Sequence, residues 1–221
     1  MVVIANLPLE IELPSARVLT NHRPLGFAAN VNRGVAETSA ELVVIANPDT
    51  EPAPDAVAIL ADFAEGGPRR GIVGPQLRYP DGRRQPSRRR FPTVRGTLAR
   101  RTPLRYVARP FERQRRHYLL DDQPDEPVQA DWMLGAFLLL RREMLDELGG
   151  FDDGFRLYGE DIELCYRAAK AGWERWYVPA AVVTHRYAAE IDRHLLTRRT
   201  LWQWRGIVRF VRKHPERLRA L

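Results

Sequence analysis

The chain has 221 residues, 44% hydrophobic and 29% charged, with a formal net charge of +7; that supports one sizeable core, or one domain with an appendage. Its single cysteine, Cys165, excludes a disulfide framework and a cysteine-based metal site, and no apolar run is long enough to span a bilayer. The opening Met1 to Leu13 lacks the basic leader and long apolar stretch of a signal peptide, so a cytoplasmic location is expected.

In chain order, Val2-Val3-Ile4-Ala5 reads as a strand. Gly26 to Ala36 reads as the start of a helix, with Ala28, Val31 and Val35 on one face. Leu42-Val43-Val44-Ile45-Ala46 is continuously apolar and rich in β-branched residues, the pattern of a strand buried on both faces. Pro54 then opens a helix with Val57, Leu60 and Phe63 in register, and Ile72-Val73 follows as a short strand. This alternation predicts an α/β fold, a mostly parallel sheet flanked by helices.

From about Arg78 to Pro127 the pattern changes. The stretch is rich in proline and arginine and has little periodicity, so it is expected to be a long excursion with a short helix around Val94 to Arg101. Between Arg69 and Arg116 there are 16 arginines against only Asp81 and Glu112. A basic segment beside an acidic remainder suits a cation site next to surfaces for phosphate or anionic lipid. Plain solvated arginine is the alternative for any one of them.

Regular structure returns at Ala130. Ala136 to Leu140 reads as a strand, and Arg142 to Leu148 as a helix stopped by Gly149-Gly150. A further helix begins near Asp161, carries Ile162, Cys165, Tyr166 and Ala169 at helical spacing, and stops at Gly172. Val182-Val183-Thr184 reads as a strand ending at His185. From Arg193 onward the chain reads as a basic amphipathic helix. The expected organisation is therefore one domain over 1–192, interrupted at 78–127, and a helical appendage over 193–221.

Three places carry chemistry. Asn47-Pro48-Asp49-Thr50 follows a strand, where ligands of open α/β sheets sit, and Asp49 is suited to a hard divalent cation. The same tetrapeptide is also ordinary turn chemistry. Tyr158-Gly159-Glu160-Asp161 sets two carboxylates at a helix start, where one would serve as a general base or Asp161 simply as a helix cap. His185 ends a strand, where a neutral imidazole would join Asp49 at a metal or be an ordinary hydrogen-bonded histidine.

Taken together, these segments resemble family 2 glycosyltransferases of the GT-A fold, especially rhamnosyltransferase-like members. The matching stretches are Gly26 to Gly34, Asn47-Pro48-Asp49, the Arg-rich Tyr79-Pro80-Asp81-Gly82 to Arg90-Phe91-Pro92, Asp131 to Ala136, Gly149 to Asp152 running through Tyr158 to Cys165 and on to Gly172-Trp173, and the tail ending near Arg212-Lys213-His214. The resemblance spans about residues 20 to 215. It implies an inverting, metal-dependent transfer from a nucleotide-diphosphate sugar to a saccharide or lipid-linked acceptor in cell-surface polysaccharide synthesis.

Residue by residue, the resemblance implies Asp161 as the base, with Glu160 beside it, and Asp49 and His185 as holders of Mg²⁺ or Mn²⁺. It places Trp132 and Gly135 beside the donor sugar and acceptor. Asn30, Asn32, Asn47, Arg88, Arg89 and Arg90 fall among the donor- and acceptor-binding positions. Family members usually begin with a further strand and helix bearing a nucleotide contact, and have Asp-Asn where this chain has Ala5-Asn6. That departure keeps a non-catalytic or truncated GT-A remnant as an alternative.

A nucleic-acid binder is the other alternative, on the strength of a pI near 10.0. The chain has no helix-turn-helix signal, zinc spacing or aromatic RNA-binding motif, so no nucleic-acid partner is expected. The tail mixes arginines with Leu201, Trp202, Trp204, Ile207, Phe210 and Val211. It is expected either to dock peripherally on the inner face of the membrane or to pack on the sheet.

Overall fold

Period-two alternation in the central strands sorts the core into two layers, one on each side of a sheet. The computed structural model describes residues 1–7, 13–92, 119, 122, 124–186 and 198–218, with side chains in the last stretch over 201–217. The strands are β1 (Val2–Ala5), β2 (Arg17–Thr20), β3 (Leu42–Ala46), β4 (Thr50–Pro52), β5 (Arg70–Arg78), β6 (Arg88–Arg89), β7 (Val128–Gln129), β8 (Trp132–Met133), β9 (Phe137–Arg141) and β10 (Glu174–His185). The helices are α1 (Phe27–Ala36), α2 (Ala56–Glu65), α3 (Arg142–Leu148), α4 (Glu160–Lys170) and α5 (Arg198–Lys213). The helix expected around Val94 to Arg101 lies outside the described residues.

The main sheet has the order β3-β9-β5-β10-β4, with β7 also pairing β10. Along β9, Leu138 and Leu140 face one side and Phe137 and Leu139 the other. The first side is covered by Ala28 of α1, Met144 and Leu145 of α3, and Leu164, Cys165 and Ala168 of α4. The second is covered by Ala56, Leu60 and Ala64 of α2. The α/β class and the helix-flanked sheet are therefore as expected.

The strand directions are mixed rather than mostly parallel. β10 pairs β5 in parallel, but β9 lies between β3 and β5 and runs antiparallel to both. β9 follows directly on β8 without a crossover helix, so it is free to enter against its neighbours. Leu42 to Ala46 also differs from the expected doubly buried strand. β3 has one described partner and is a sheet edge; Ile45 is buried while Val44 is 36% exposed. An apolar run does not reveal which side of a strand will be left unpaired.

Because β3, β5 and β10 share a direction, their carboxyl ends meet at one edge of the sheet. The antiparallel β9 brings its amino end, with Gly135-Ala136 before it, to that same edge. The helix Arg142 to Leu148 ends as expected at Gly149, in the left-handed region at φ 71°.

Helix α5 lies against the loop that leads into α4. Phe210 packs with Phe155 and Tyr166, and Arg209 and Lys213 pair with Asp152. Lys213 also reaches the wholly buried Glu163 at 2.6 Å, which Arg167 holds from within α4. Gly206 is required at its position: a Cβ there would stand 2.6 Å from the carbonyl oxygen of Tyr158.

Candidate active site

The carboxyl-end edge collects Asp49 and His185. After β3 the chain turns at once: Thr50 donates both its amide and its hydroxyl to the Asn47 carbonyl, at 3.1 and 2.6 Å. The tetrapeptide is thus a turn, and the turn aims Asp49 at the end of β10. His185 Nε2 lies 3.4 Å from Asp49 Oδ2. The imidazole is buried, whereas the Asp49 side chain is 43% exposed. Burial pushes the His185 pKa down against the pull of Asp49, so the ring is neutral and fit to be a ligand.

An oxygen and a nitrogen donor at this spacing suit a hard divalent cation. Octahedral Mg²⁺ holds its ligands at about 2.1 Å, so neighbouring donors stand about 3.0 Å apart. The observed 3.4 Å needs only a small approach. Among the described residues no group of three or more His, Cys, Asp or Glu gathers at one point. A cation here would draw its remaining ligands from water and from a phosphorylated substrate, the usual arrangement for Mg²⁺.

The second cluster is joined to the first through one short segment. The Asn47 amide donates to the Ala136 carbonyl at 2.8 Å, and the amide of the adjoining Gly135 donates to Asp161 Oδ2 at 3.3 Å. Asp161 Oδ1 also accepts from the Ile162 amide at 2.8 Å. Asp161 is therefore in the first turn of α4, whose cap position is taken by Gly159. Trp132 is held by its indole N–H on the Arg90 carbonyl, with the Arg89 guanidinium over its ring at 5.5 Å. The Arg89 charge also acts on Asp161. Trp132, Gly135, Arg89 and Asp161 thus form one wall.

Burial raises the pKa of both Glu160 and Asp161, and their mutual repulsion adds to it at Glu160, which is pushed up to about 8. The partners decide which of the two keeps the proton. Asp161 receives two amide N–H bonds and the field of Arg89, all favouring its charged form. Glu160 is buried with its Oε2 unpartnered among the described residues. Glu160 also receives the amides of Glu160 and Tyr158, but burial and the repulsion from Asp161 outweigh them, so Glu160 holds a proton well above the usual carboxylate range, while the two amides and Arg89 oppose the effect of burial at Asp161.

This has a measurable consequence. The folded protein holds a proton on Glu160 between its ordinary pKa and about 8, while the unfolded chain does not. Stability is therefore lost as pH rises across that interval. Glu160→Gln removes the cost of charging. Thermal unfolding should show the variant close to the wild type near pH 5 and on the order of 10 °C more stable near pH 8.5, since about 1.4 kcal/mol accompanies each tenfold change in proton affinity and each kcal/mol moves the midpoint by about 2–4 °C. A difference that does not change with pH would remove this assignment.

The other residues singled out in the sequence have varied placements. Asn30 accepts from Asn21, which also donates to Asn6, so it belongs to an asparagine cluster under α1. Both ends of the Asn32 amide are engaged by the Phe151 backbone, at 2.7 and 2.8 Å, so it braces the loop before α4 rather than facing the Asp49 edge. Arg88 pairs with Asp122. The Arg90 side chain is exposed, and its carbonyl positions Trp132.

Two features escaped the sequence. Gln85 Oε1 lies 2.9 Å from His185 Nδ1, across 100 positions of chain. Tyr158 sits at φ 72°, in the left-handed region rarely adopted by bulky residues, one position before the Gly159 cap. Such strain costs about 1–3 kcal/mol and persists where packing overdetermines it. Here Gly206 of α5 passes so near the Tyr158 carbonyl that a Cβ at that position would not fit. A positive φ at Tyr leaves no mark in sequence.

Residues 8–205 match the family model described as "Glycosyltransferase like family 2". The chain is 34% identical over 192 residues to N-acetylglucosaminyl-diphospho-decaprenol L-rhamnosyltransferase of Mycobacterium tuberculosis (strain CDC 1551 / Oshkosh), which covers 81% of this chain and 62% of that protein. It is 35% identical over 82 residues to the rhamnosyltransferase WbbL of Escherichia coli (strain K12), covering 37% of this chain and 31% of the relative. The chain thus spans less than two thirds of the length of these relatives.

Among solved structures, GalNAc-T7 with UDP, GalNAc and Mn²⁺ superposes with a TM-score of 0.65 at 18% identity, covering 96% of this chain and 41% of that one. The mannosyltransferase PcManGT from Pyrobaculum calidifontis, in complex with GDP-Man and Mn²⁺, gives 0.53 at 18% identity, covering 91% and 47%. At these identities the likeness is one of fold.

Proposed function

The chain belongs to glycosyltransferase-like family 2, and from that premise we propose that it carries the catalytic edge of an inverting transferase acting on a nucleotide-diphosphate sugar. The donor sugar is rhamnose-like, and the acceptor is a hydroxyl of a saccharide carried on a lipid diphosphate. This substrate class is that of the relative from Mycobacterium tuberculosis and suits a role in cell-surface polysaccharide assembly. One observation carries the proposal: the Asp49–His185 pair and the Asp161 carboxylate meet at one sheet edge, tied together by Gly135-Ala136.

Asp161 accepts the proton of the acceptor hydroxyl as that oxygen attacks the anomeric carbon. The bond from the anomeric carbon to the diphosphate oxygen breaks, and its electron pair leaves with the diphosphate. Bound Mg²⁺ or Mn²⁺ supplies Lewis-acid stabilisation of the charge on that leaving group. Asp49 and His185 would hold the cation, and Trp132 with Gly135 would form the wall against which the sugar lies. Arg89 steadies the ring of Trp132 and the charge of Asp161. A single displacement with one base gives inversion.

Helix α5 supports peripheral docking. Leu201, Arg205, Val208 and Arg212 are all exposed and recur at helical spacing on its outer face. Its inner face packs on the loop before α4 through Phe210 and Gly206. The inner face thus packs on the loop before α4 and on Tyr166, not on the sheet as the alternative reading expected. Among the described residues no helix is long and apolar enough to cross a membrane. The outer face would lie on anionic lipid, with each basic residue contributing about 1 kcal/mol.

One assay tests the substrate class and the docking together. Transfer from a nucleotide-diphosphate rhamnose to a diphospholipid-linked N-acetylglucosamine is followed with Mn²⁺, the acceptor being presented in anionic or in neutral vesicles. Transfer in both, faster by about tenfold in anionic vesicles at low salt, is expected. Equal rates would remove the membrane role, and no transfer in either would remove the substrate class.

A further inference from the structure

The end of β5 turns back on itself, and the turn delivers a side chain to the far end of another strand. Gly82, at φ 82°, closes a tight turn in which its amide donates to the Tyr79 carbonyl at 2.9 Å. The returning chain is pinned when the Gln85 amide donates to the Leu77 carbonyl at 2.8 Å. The Gln85 side chain is then buried, and its Oε1 meets His185 Nδ1 at 2.9 Å.

We propose that Gln85 is the positioning residue that fixes the tautomer of His185, keeping the proton on Nδ1 and turning the Nε2 lone pair toward Asp49. The inference deepens the reading of Asp49 and His185 as a cation site and rests on it for its purpose, though not for its test. An imidazole binds a metal through one nitrogen only when the proton is held on the other.

Among the described residues two acceptors compete for that proton. Gln85 Oε1 is buried and at an ordinary hydrogen-bond distance from Nδ1. Asp49 Oδ2 stands 3.4 Å from Nε2, and its side chain is 43% exposed, so water weakens its hold. The shorter, drier contact wins, and the ring is ready for a cation before one arrives. A glutamine suits this task better than a glutamate. It orients the neutral ring without adding a second buried negative charge beside Asp49.

The residue touches neither the sugar nor the phosphate in this account. It acts through the ring, and its loss should be read at the ring. Removing an outer-shell partner of a metal-binding histidine typically costs about 10–100-fold in metal affinity.

The test uses the full chain and two variants, Gln85→Leu and Gln85→Glu. The first readout is the tautomer of His185 in the metal-free protein, from long-range ¹H–¹⁵N spectra of the imidazole. Wild type and Gln85→Glu are expected with the proton on Nδ1, and Gln85→Leu with the proton moved to Nε2, toward Asp49. The second readout is Mn²⁺ alone, titrated by its electron paramagnetic resonance signal. Gln85→Leu should bind about 10–100-fold more weakly than wild type, and Gln85→Glu at least as tightly as wild type.

An Nε2-protonated ring in the wild type, or the same tautomer in wild type and Gln85→Leu, overturns the proposal. Mn²⁺ that binds none of the three proteins, with the tautomers as expected, instead overturns the cation reading of the site and leaves the tautomer assignment supported. The Gln85→Glu comparison separates a lost acceptor from a disturbed turn, because a misfolded hairpin would affect both variants alike.

Discussion

Asp161→Asn is expected to lower turnover by about a hundredfold or more while leaving donor binding nearly unchanged. Asparagine is close to isosteric, and its side-chain oxygen can still accept from the Ile162 amide that Asp161 Oδ1 meets at 2.8 Å. The variant should therefore fold, and the loss of a buried charge should not weaken it. What disappears is the ability to take a proton. A base acts mainly in the transition state, so the loss falls on turnover and not on the dissociation constant of the donor. Steady-state kinetics beside donor titration separates the two. Near-full turnover in the asparagine variant would reduce Asp161 to a helix-terminus carboxylate held by the Gly135 and Ile162 amides.

Asp49→Ala should have the complementary effect, weakening metal-dependent donor binding by about a hundredfold or more, beyond the roughly 10–100-fold cost of losing an outer-shell partner. The Asp49 side chain is 43% exposed and is not part of the core, so its removal should leave the fold intact. Its backbone is independently fixed, since its carbonyl accepts from the Arg186 amide at 2.8 Å. Calorimetric titration of a nucleotide-diphosphate sugar with Mn²⁺, and again with chelator, isolates the metal-dependent part of binding. Chelator should weaken the wild type to the level of the variant and change the variant little. A variant with an unaltered Mn²⁺ dependence would remove Asp49 from the cation site.

The parts of this site that were legible in the sequence share one property: each follows from a local pattern combined with a rule about sheets. Asp49 and His185 stand just past apolar strands, and ligands gather at the carboxyl ends of such strands. Asp161 stands at a helix start that glycine announces. The long-range geometry was not legible. Nothing in Leu42 to Ala46 says that the strand lies at an edge with Val44 exposed. Nothing in Phe137 to Arg141 says that it enters antiparallel between β3 and β5.

Yet that antiparallel entry is what carries Gly135-Ala136 to the edge that holds Asp49 and His185. Gln85 was hidden for a related reason. The turn at Gly82 lies within the stretch read as an irregular excursion, and the strand end to which it delivers a side chain is fixed only by the order of the sheet. Asn32 shows the reverse case, since a polar residue in a matching motif spends its whole amide on the Phe151 backbone.

The central claim is a single displacement assisted by one carboxylate, and the configuration of the product tests it most directly. The wild-type chain is incubated with a nucleotide-diphosphate rhamnose, Mn²⁺ and the diphospholipid-linked saccharide, and the anomeric configuration of the new linkage is read by nuclear magnetic resonance. Inversion relative to the donor, abolished in Asp161→Asn, is the predicted result. A linkage that retains the donor configuration, whether or not Asp161 is present, would contradict the account.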